Sequence, residues 1–514
     1  MPTTNTIRFS QFNASLNRNA DGQLITDLST PNNAQAKAVA EIIQRNNPDI
    51  LLVNEFDYVQ GNPLQAVQLL QQNYLAVSQN GATPVNYPYF YIAPSNTGIA
   101  SGFDLNNDGK VVTTPGATGY GDDAFGFGNF PGQYGMLLLS KYPIDTANIR
   151  TFQNFLWKDM PDSLLSTIST PNSNTPWYSS EEQNTLRLSS KSHWDVPIQV
   201  NGETIHVLVS HPTPPTFDGT EDRNGKRNHD EIRFWADYIT PDKGDYIYDD
   251  AGKKGGVAAG SRFVIMGDQN ADPVDGDSYD NAIRQLLQNP GINTNVIPTS
   301  LGAPQQAALQ GGANVNQTGN ANFDTADFAD TVPGNLRTDY VLPSADLTIS
   351  NSVVYWPANT DPNFPLVGTY NASLPGGFPS SDHRLVYADV EVGPTTAGKT
   401  IPDVGFLGQT ILPTGFIPSG AAGTVNGVQT ALGGLSGVAY DVAKNQFYAI
   451  SDDRSQIAPA RFYTFTTDPA KIATTGAAFT NVTPLKDANG NFFAINSLDP
   501  EGIALTNNGT VFIS

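Results

Sequence analysis

Residues 7–13, Ile-Arg-Phe-Ser-Gln-Phe-Asn, alternate apolar and polar side chains, the period-two pattern of a half-buried strand. Residues 32–46 set strong helix formers after an asparagine cap, and Pro48 stops that helix. Asp49-Ile-Leu-Leu-Val-Asn-Glu55 then reads as a buried strand. Strand, helix and strand in quick succession predict a layered α/β domain. Further strands are expected at 134–140, 206–210, 262–267, 339–342 and 384–392, with helical stretches near 229–239 and 280–288. Between 290 and 335 a Gln/Asn/Gly/Ala-rich segment with little periodicity reads as a long surface insertion.

The text changes after Val392. Gly393-Pro-Thr-Thr-Ala-Gly-Lys-Thr-Ile-Pro402 has the composition of a linker, and short strand-like runs follow at 437–441, 446–451 and 461–465. Turn signals at short intervals are the habit of a β-propeller or sandwich. The chain stops at Val511-Phe-Ile-Ser514, inside a strand-like run. A propeller closes only with several four-stranded blades, so the chain is expected to be a fragment of a longer protein. The expected division is a catalytic domain at 1–393, a linker at 394–403 and a partial β-domain at 404–514.

Composition adds two constraints. The chain has 514 residues, 39% hydrophobic and only 15% charged, with 47 Gly, 37 Pro and no Cys. That balance suits a strand- and turn-rich protein, excludes thiol chemistry, and offers no apolar run long enough to span a membrane. The formal net charge of −22, with no Lys/Arg block, disfavours sequence-independent binding of nucleic acid. An excess of carboxylates also suits a chain that carries divalent cations. The start, Met1-Pro-Thr-Thr-Asn-Thr-Ile-Arg8, lacks a signal peptide's pattern. The composition leans towards an extracellular or cell-surface protein, and no segment points to an obligate protein partner.

Polar residues collect at strand ends, where a rigid scaffold can fix them. Asn13 and Glu55 end the first two strands, and His211 ends an apolar strand. Asp268 and Asn270 follow the break at Gly267, two apart and on one face if extended. Asp339 opens a strand, and Asp382-His383 precede the last. The chain has five histidines, and two stand at these ends. Phosphate-ester hydrolysis needs such groups: oxygens for a cation, a group to orient or deprotonate water, and donors for the phosphoryl oxygens. His193 and His206 are read as structural.

Asn13, Asp49–Glu55, Gln133-Tyr-Gly-Met-Leu-Leu-Leu-Ser-Lys-Tyr-Pro-Ile144, Ser210-His211, Gly267–Asn270, Asp339-Tyr340 and Ser381–His383 together resemble the endonuclease/exonuclease/phosphatase superfamily, in its order, over nearly all of 1–393. The resemblance implies a four-layer α/β (α+β) sandwich, two packed β-sheets flanked by helices. It implies that Glu55 is the principal magnesium ligand, supported by Asn13 and Asp382, with Mg²⁺ or Mn²⁺ as the cofactor. Asp268 would orient or deprotonate the attacking water, and Asn270 would contact phosphate or metal. His383 would face the scissile phosphate, Asp339 would pair with it, and His211 would be a second phosphate-facing group. The chemistry implied is direct in-line attack by water on a phosphomonoester or phosphodiester, in a small molecule or a nucleic acid.

Asp104-Leu-Asn-Asn-Asp-Gly109 places Asp104, Asn106 and Asp108 around one turn, a start for a Ca²⁺ site. The twelfth position is Pro115, so an EF-hand's bidentate Glu is missing; Asp122 or Asp123 would have to complete a cage, and the alternative is a plain turn. Arg223, Lys226, Arg227 and His229 form the one basic neighbourhood, either a second phosphate site or a solvated helix start. At the C-terminal end, Leu435–Asp441, Phe447–Arg454, Ala460–Tyr463 and Leu498–Ile503 resemble the start of a phytase-like, esterase-like propeller, with Asp452, Asp453 and Glu501 as candidate calcium or substrate ligands. A second reading of the chain, from another class, is a calcium-stabilised extracellular binding protein with an inactive phosphoesterase domain.

Overall fold

The computed structural model describes residues 5–393, 409–441, 444–468, 476–506 and 510–514. The chain divides into two compact units, Met1–Gly398 and Lys399–Ser514. The linker expected at 394–403 lies outside the described residues.

The first unit has thirteen strands: β1 (Asn5–Asn13), β2 (Ile50–Asn54), β3 (Tyr89–Ile92), β4 (Met136–Ser140), β5 (Arg150–Thr151), β6 (His193–Val200), β7 (Glu203–Ser210), β8 (Arg262–Asp268), β9 (Ala326–Asp327), β10 (Asn335–Leu336), β11 (Asp339–Pro343), β12 (Thr348–Val354) and β13 (Val386–Val392). One sheet runs β12-β13-β1-β2-β4-β3, and the other β11-β8-β7-β6-β5. The pairs β1/β2 and β7/β8 are parallel; the remaining pairs of these two sheets are antiparallel.

Alternation along the strands explains the packing. Val207 and Val209 of β7, and Val264 and Met266 of β8, join a core shared with Phe9, Leu52 and Leu138 of the first sheet. Their neighbours Leu208, Phe263 and Ile265 point the other way, into a core with Ile232 and Trp235 of helix Arg223–Ile239. A strand covered on both faces needs apolar residues at every position, hence the unbroken runs Val-Leu-Val and Phe-Val-Ile-Met. Helix Ala34–Asn46 covers the first sheet through Ala36, Val39, Ala40 and Ile43, and the Asn33 side chain accepts the Ala36 amide as its cap.

Three expectations change. The helix expected near 229–239 begins earlier, at Arg223, because charged Arg223–His229 hid the start of its apolar stripe. The helix expected at 280–288 shrinks to Arg284–Leu287, because Asp280 and Asn281 adopt left-handed backbone. The 290–335 segment is more than a surface insertion: it forms helix Gly302–Gln310 and the β9/β10 hairpin, and Thr325, Ala326, Asp327 and Asn335 are buried.

In the second unit, Leu435–Asp441, Gln446–Ser451, Arg461–Thr466 and Ala478–Pro484 form a four-stranded antiparallel sheet in chain order. Two separate two-stranded sheets accompany it. The described residues make antiparallel sheets that do not close a propeller. Among the described residues no helix is long and apolar enough to cross a membrane.

Candidate active site

Strand register gathers the polar ends. Asn13 pairs with Asn54 where β1 and β2 stop together, so Glu55 emerges beside Asn13. Asp339 pairs with Asp268, so β11 begins where β8 ends. Gln11 pairs with Val386, which brings Ser381–Arg384 to the same edge. Gly267 makes the approach of β8 to the end of β7 possible: a Cβ there would lie 2.2 Å from the Ser210 carbonyl oxygen.

The two sheets meet at Asp268, which is 1% exposed. Asn13 Nδ2 donates to Asp268 Oδ2 at 3.0 Å and to Glu55 Oε1 at 3.1 Å. His211 Nε2 lies 3.4 Å and His383 Nε2 3.6 Å from Asp268 Oδ2. The other edge of the His383 ring is fixed by Asp339, Nδ1 to Oδ2 at 2.9 Å. The Asn270 amide donates to Asp268 Oδ1 at 2.9 Å, and its side chain donates to the Pro212 carbonyl. Glu55, Asp382 and Asn270 are partly exposed, whereas Asn13, His211, Asp268, Asp339 and His383 are buried. Seven of the eight residues named from the sequence are joined by these contacts. The eighth, Asp382, accepts from Ser15 Oγ at 3.2 Å and acts on Glu55 through its charge.

Electrostatics separate the roles. Burial raises the Glu55 carboxyl above its usual range and Asp382 adds to the shift, with Asn13 working the other way. Burial also opposes ionisation of Asp268, yet His383, His211 and Asn13 hold it well below the carboxylate range. Burial disfavours the His383 imidazolium, but Asp339, Asp268 and Asp382 overcome it and raise this histidine well above its ordinary value. His211 goes the opposite way, to about 4, through burial and the charge of Lys191. The site therefore sets a charged imidazole and a neutral one on either side of an ionised carboxylate.

Glu55 and Asn270 have φ of 59° and 51°, as does Ser15 at 47°. Left-handed backbone at non-glycine residues costs on the order of 1–3 kcal/mol and persists where surroundings enforce it. Ligand atoms of Asp268, Asp339 and His383 lie within 4.8 Å of one another. Within that trio His383 Nδ1 is already engaged by Asp339 and Nε2 lies 3.6 Å from Asp268. Glu55 and Asp382 offer the all-oxygen setting that a hard cation prefers.

Several neighbours carried no sequence signal. Asn17 Nδ2 donates to Glu55 Oε2 at 2.6 Å. Asp57 accepts the Arg18 and Tyr134 amides, yet burial pushes its carboxyl up to about 8. Thr325 Oγ1 donates to Asp339 Oδ2 at 2.7 Å, and the Phe328 ring stands edge-on to His383 with centroids 5.2 Å apart. Lys191 is buried, has no carboxylate within ion-pair distance among the described residues, and reaches only the Pro212 carbonyl at 3.4 Å. Burial lowers its pKa, with Glu231, Glu55 and Asp268 working against that shift. A lysine in a Ser-Lys-Ser run gives no hint of this placement.

The remaining sequence candidates lie elsewhere. Asp104 and Asp108 accept amides of their own turn, as does Asn106, while Asp123 accepts the Leu105 and Val112 amides. Arg223 pairs with Glu221, and Arg227 donates to the carbonyls of Leu188, Arg187 and Phe125. His193 packs on Phe234 and Trp235, and His206 bonds Asp195 at 2.7 Å. In the second unit, Asp453 is taken by Arg461 and by three loop amides.

The model of the Endonuclease/Exonuclease/phosphatase family matches residues 11–383. A second model, described as esterase-like activity of phytase, matches residues 430–514. Comparison with curated proteins finds no match. Among solved structures, an endonuclease/exonuclease/phosphatase family protein from Leptotrichia buccalis is 14% identical, over 75% of this chain and 100% of its own, with a TM-score of 0.38. A mutant beta toxin from Staphylococcus aureus with bound magnesium ions is 14% identical over 75% of this chain and 99% of its own, with a TM-score of 0.36. A protein of the same family from Bacteroides thetaiotaomicron is 10% identical over 76% and 96%, with a TM-score of 0.37.

Proposed function

The chain belongs to the endonuclease/exonuclease/phosphatase family, and from that premise we propose that it is a metal-dependent phosphoesterase that directs water in line at phosphorus. The observation that carries the reading is the convergence on Asp268 of Asn13 and His383 from one sheet and His211 from the other. The proposal takes residues 1–393 as the catalytic domain and 404–514 as part of a phytase-like propeller domain.

The donor set fits a hard divalent cation. Neither Glu55 nor Asp382 is paired with a cationic side chain among the described residues, and the charge of Asp382 helps to raise Glu55. Glu55, Asp382 and Asn13 would hold Mg²⁺ or Mn²⁺. Such an ion supplies Lewis-acid neutralisation of a phosphoryl oxygen.

The chain's own groups do the rest. Asp268, ionised and of low proton affinity, suits orienting the attacking water better than deprotonating it. Asn270, anchored to Asp268 and Pro212, closes that side. His383, held by Asp339, presents a charged N–H to the developing phosphoryl charge. Neutral His211 stands opposite, and Lys191 behind it adds a positive charge that the fold does not pair. Phosphomonoesters and phosphodiesters both remain within reach of this machinery. The net charge of −22 favours a small substrate over a nucleic acid.

The test is hydrolysis of a chromogenic phosphomonoester, its bis-ester and DNA, with Mg²⁺, with Mn²⁺ and with chelator. Turnover that chelation abolishes and Mg²⁺ restores is expected, with losses of orders of magnitude in Asp268→Asn and His383→Ala at unchanged melting temperature. No turnover on any substrate, with either metal, would leave the binding-protein reading standing.

A further inference from the structure

Arg337 is buried, 7% exposed, and its Nε has no hydrogen-bond partner. Among the described residues it is the one arginine whose guanidinium finds no oxygen. Every other pairs with a carboxylate, a carbonyl or an amide oxygen. Its guanidinium instead lies 4.7 Å from the centre of the Tyr340 ring, which fixes the plane while leaving the donors free. A buried donor without an acceptor bears its full desolvation cost, and more when charged. Arg384 Nε is also unmet, but that guanidinium is held through its other two nitrogens, whereas Arg337 has no such hold.

Arg337 borders a cavity of about 220 Å³ between the free edge of β11 and the segment 293–298. The walls are apolar: Leu287, Pro298, Val341 and Leu342, with Val296 and Ile297 36% and 39% exposed at the mouth. Thr294 is also on the lining. The polar neighbour Asn293 is spent, donating to the Leu347 carbonyl and accepting the Asn295 amide. Clefts that hold drug-sized ligands run to about 300–1,000 Å³, so the occupant is smaller.

We infer that this cavity binds a small amphiphilic oxyanion, a carboxylate or phosphate monoester on a short aliphatic chain, with Arg337 gripping the head and the apolar walls covering the tail. A planar guanidinium matches both heads through paired N–H donors, and in a chain of net charge −22 an anion needs such a local cation. The site is separate from the phosphoesterase centre and does not depend on that reading. It is built, however, on the strand that starts at Asp339, two residues beyond Arg337.

The test is calorimetric titration of the full chain with butanoate, hexanoate, hexyl phosphate, acetate, inorganic phosphate and hexan-1-ol, in parallel with Arg337→Met. Hexanoate or hexyl phosphate should bind, and the two arms tell which head is preferred. Affinity should rise by about three- to fourfold for each added methylene, and fall at least about tenfold in Arg337→Met. Anion binding that survives unchanged in Arg337→Met belongs to another site and overturns the proposal. So does acetate or phosphate binding as tightly as its hexyl counterpart, hexanol binding as tightly as hexanoate, or no binding by either amphiphile. Should Arg337→Met not fold, Ile297→Glu places a carboxylate at the exposed mouth and is expected to weaken the same anions about tenfold; unchanged affinity there overturns the assignment equally.

Discussion

Replacing Asp339 by asparagine removes a charge while keeping the side chain's shape, and so isolates what that charge does for His383. The two groups are 2.9 Å apart and buried. At an effective dielectric of about 20, unit charges about 4 Å apart attract by roughly 4 kcal/mol, close to a thousandfold in an equilibrium constant. Without Asp339, only Asp268 and Asp382 oppose burial, and the imidazole's hold on its proton weakens. We expect kcat/KM to fall by about 10²–10³-fold at pH 7.5, the usual effect of losing one transition-state electrostatic contact. The sign with pH is specific. Lowering the pH should restore part of the variant's activity as His383 reprotonates, while the wild type gains nothing by that route. The assay is the pH profile of kcat/KM for Asp339→Asn, His383→Ala and the double variant, with thermal unfolding as the control, since Asp339 also accepts from Thr325 and Thr338. The double variant should lose no more than His383→Ala alone, because the carboxylate works through the ring. A single variant within tenfold of wild type, an unchanged pH profile, or additive losses would refute the reasoning.

Lys191→Met should lower kcat/KM by about 10–100-fold without lowering the melting temperature, because the ammonium it removes is buried and unpaired; unchanged kinetics would remove Lys191 from the site. Gly267→Ala should destabilise the protein by roughly 1–3 kcal/mol and cut activity sharply, since the new methyl meets the Ser210 carbonyl; a chemical unfolding midpoint equal to wild type would contradict the close approach of β7 and β8. His193 is held at about 4 by burial, below its ordinary 6.5. The unfolded chain therefore binds the extra proton first, and stability that is full above pH 6.5 drains as the pH falls towards 4, by up to roughly 3 kcal/mol. His193→Gln should flatten that part of the urea-unfolding profile, and an identical slope in the variant would show that His193 is not its source.

The sequence was most readable where one strand has both faces covered. Unbroken apolar runs announced β2, β4, β7 and β8, and Glu55, His211 and Asp268 were legible as the polar residues ending three of them. Asn13 was legible as the end of the alternating run of β1. The rest depends on contacts that no local pattern encodes. Lys191 precedes β6, which also went unseen, and its isolation from carboxylates exists only once helix Arg223–Ile239 sets Glu231 on the Ser190 and Thr213 amides. Thr325 and Phe328 sit in a stretch whose Gln, Asn and Gly content hides a hairpin only two residues wide on each side. The second unit's strands were visible as turn-bounded apolar runs, whereas the way sheets close cannot be read from the strands one at a time.

The Asp327–Arg384 pair, 3.0 Å apart with Arg384 fully buried, ties that inconspicuous hairpin to the strand end carrying His383. Arg384 also donates to the Ser381 carbonyl and lies over the Trp356 ring. A low-complexity stretch is the usual first choice for trimming when a protein is shortened or grafted. Here such a cut would strand a guanidinium in the interior and loosen the imidazole next to it, so the stretch that looks most dispensable is the one that locks the strand end beside Asp268.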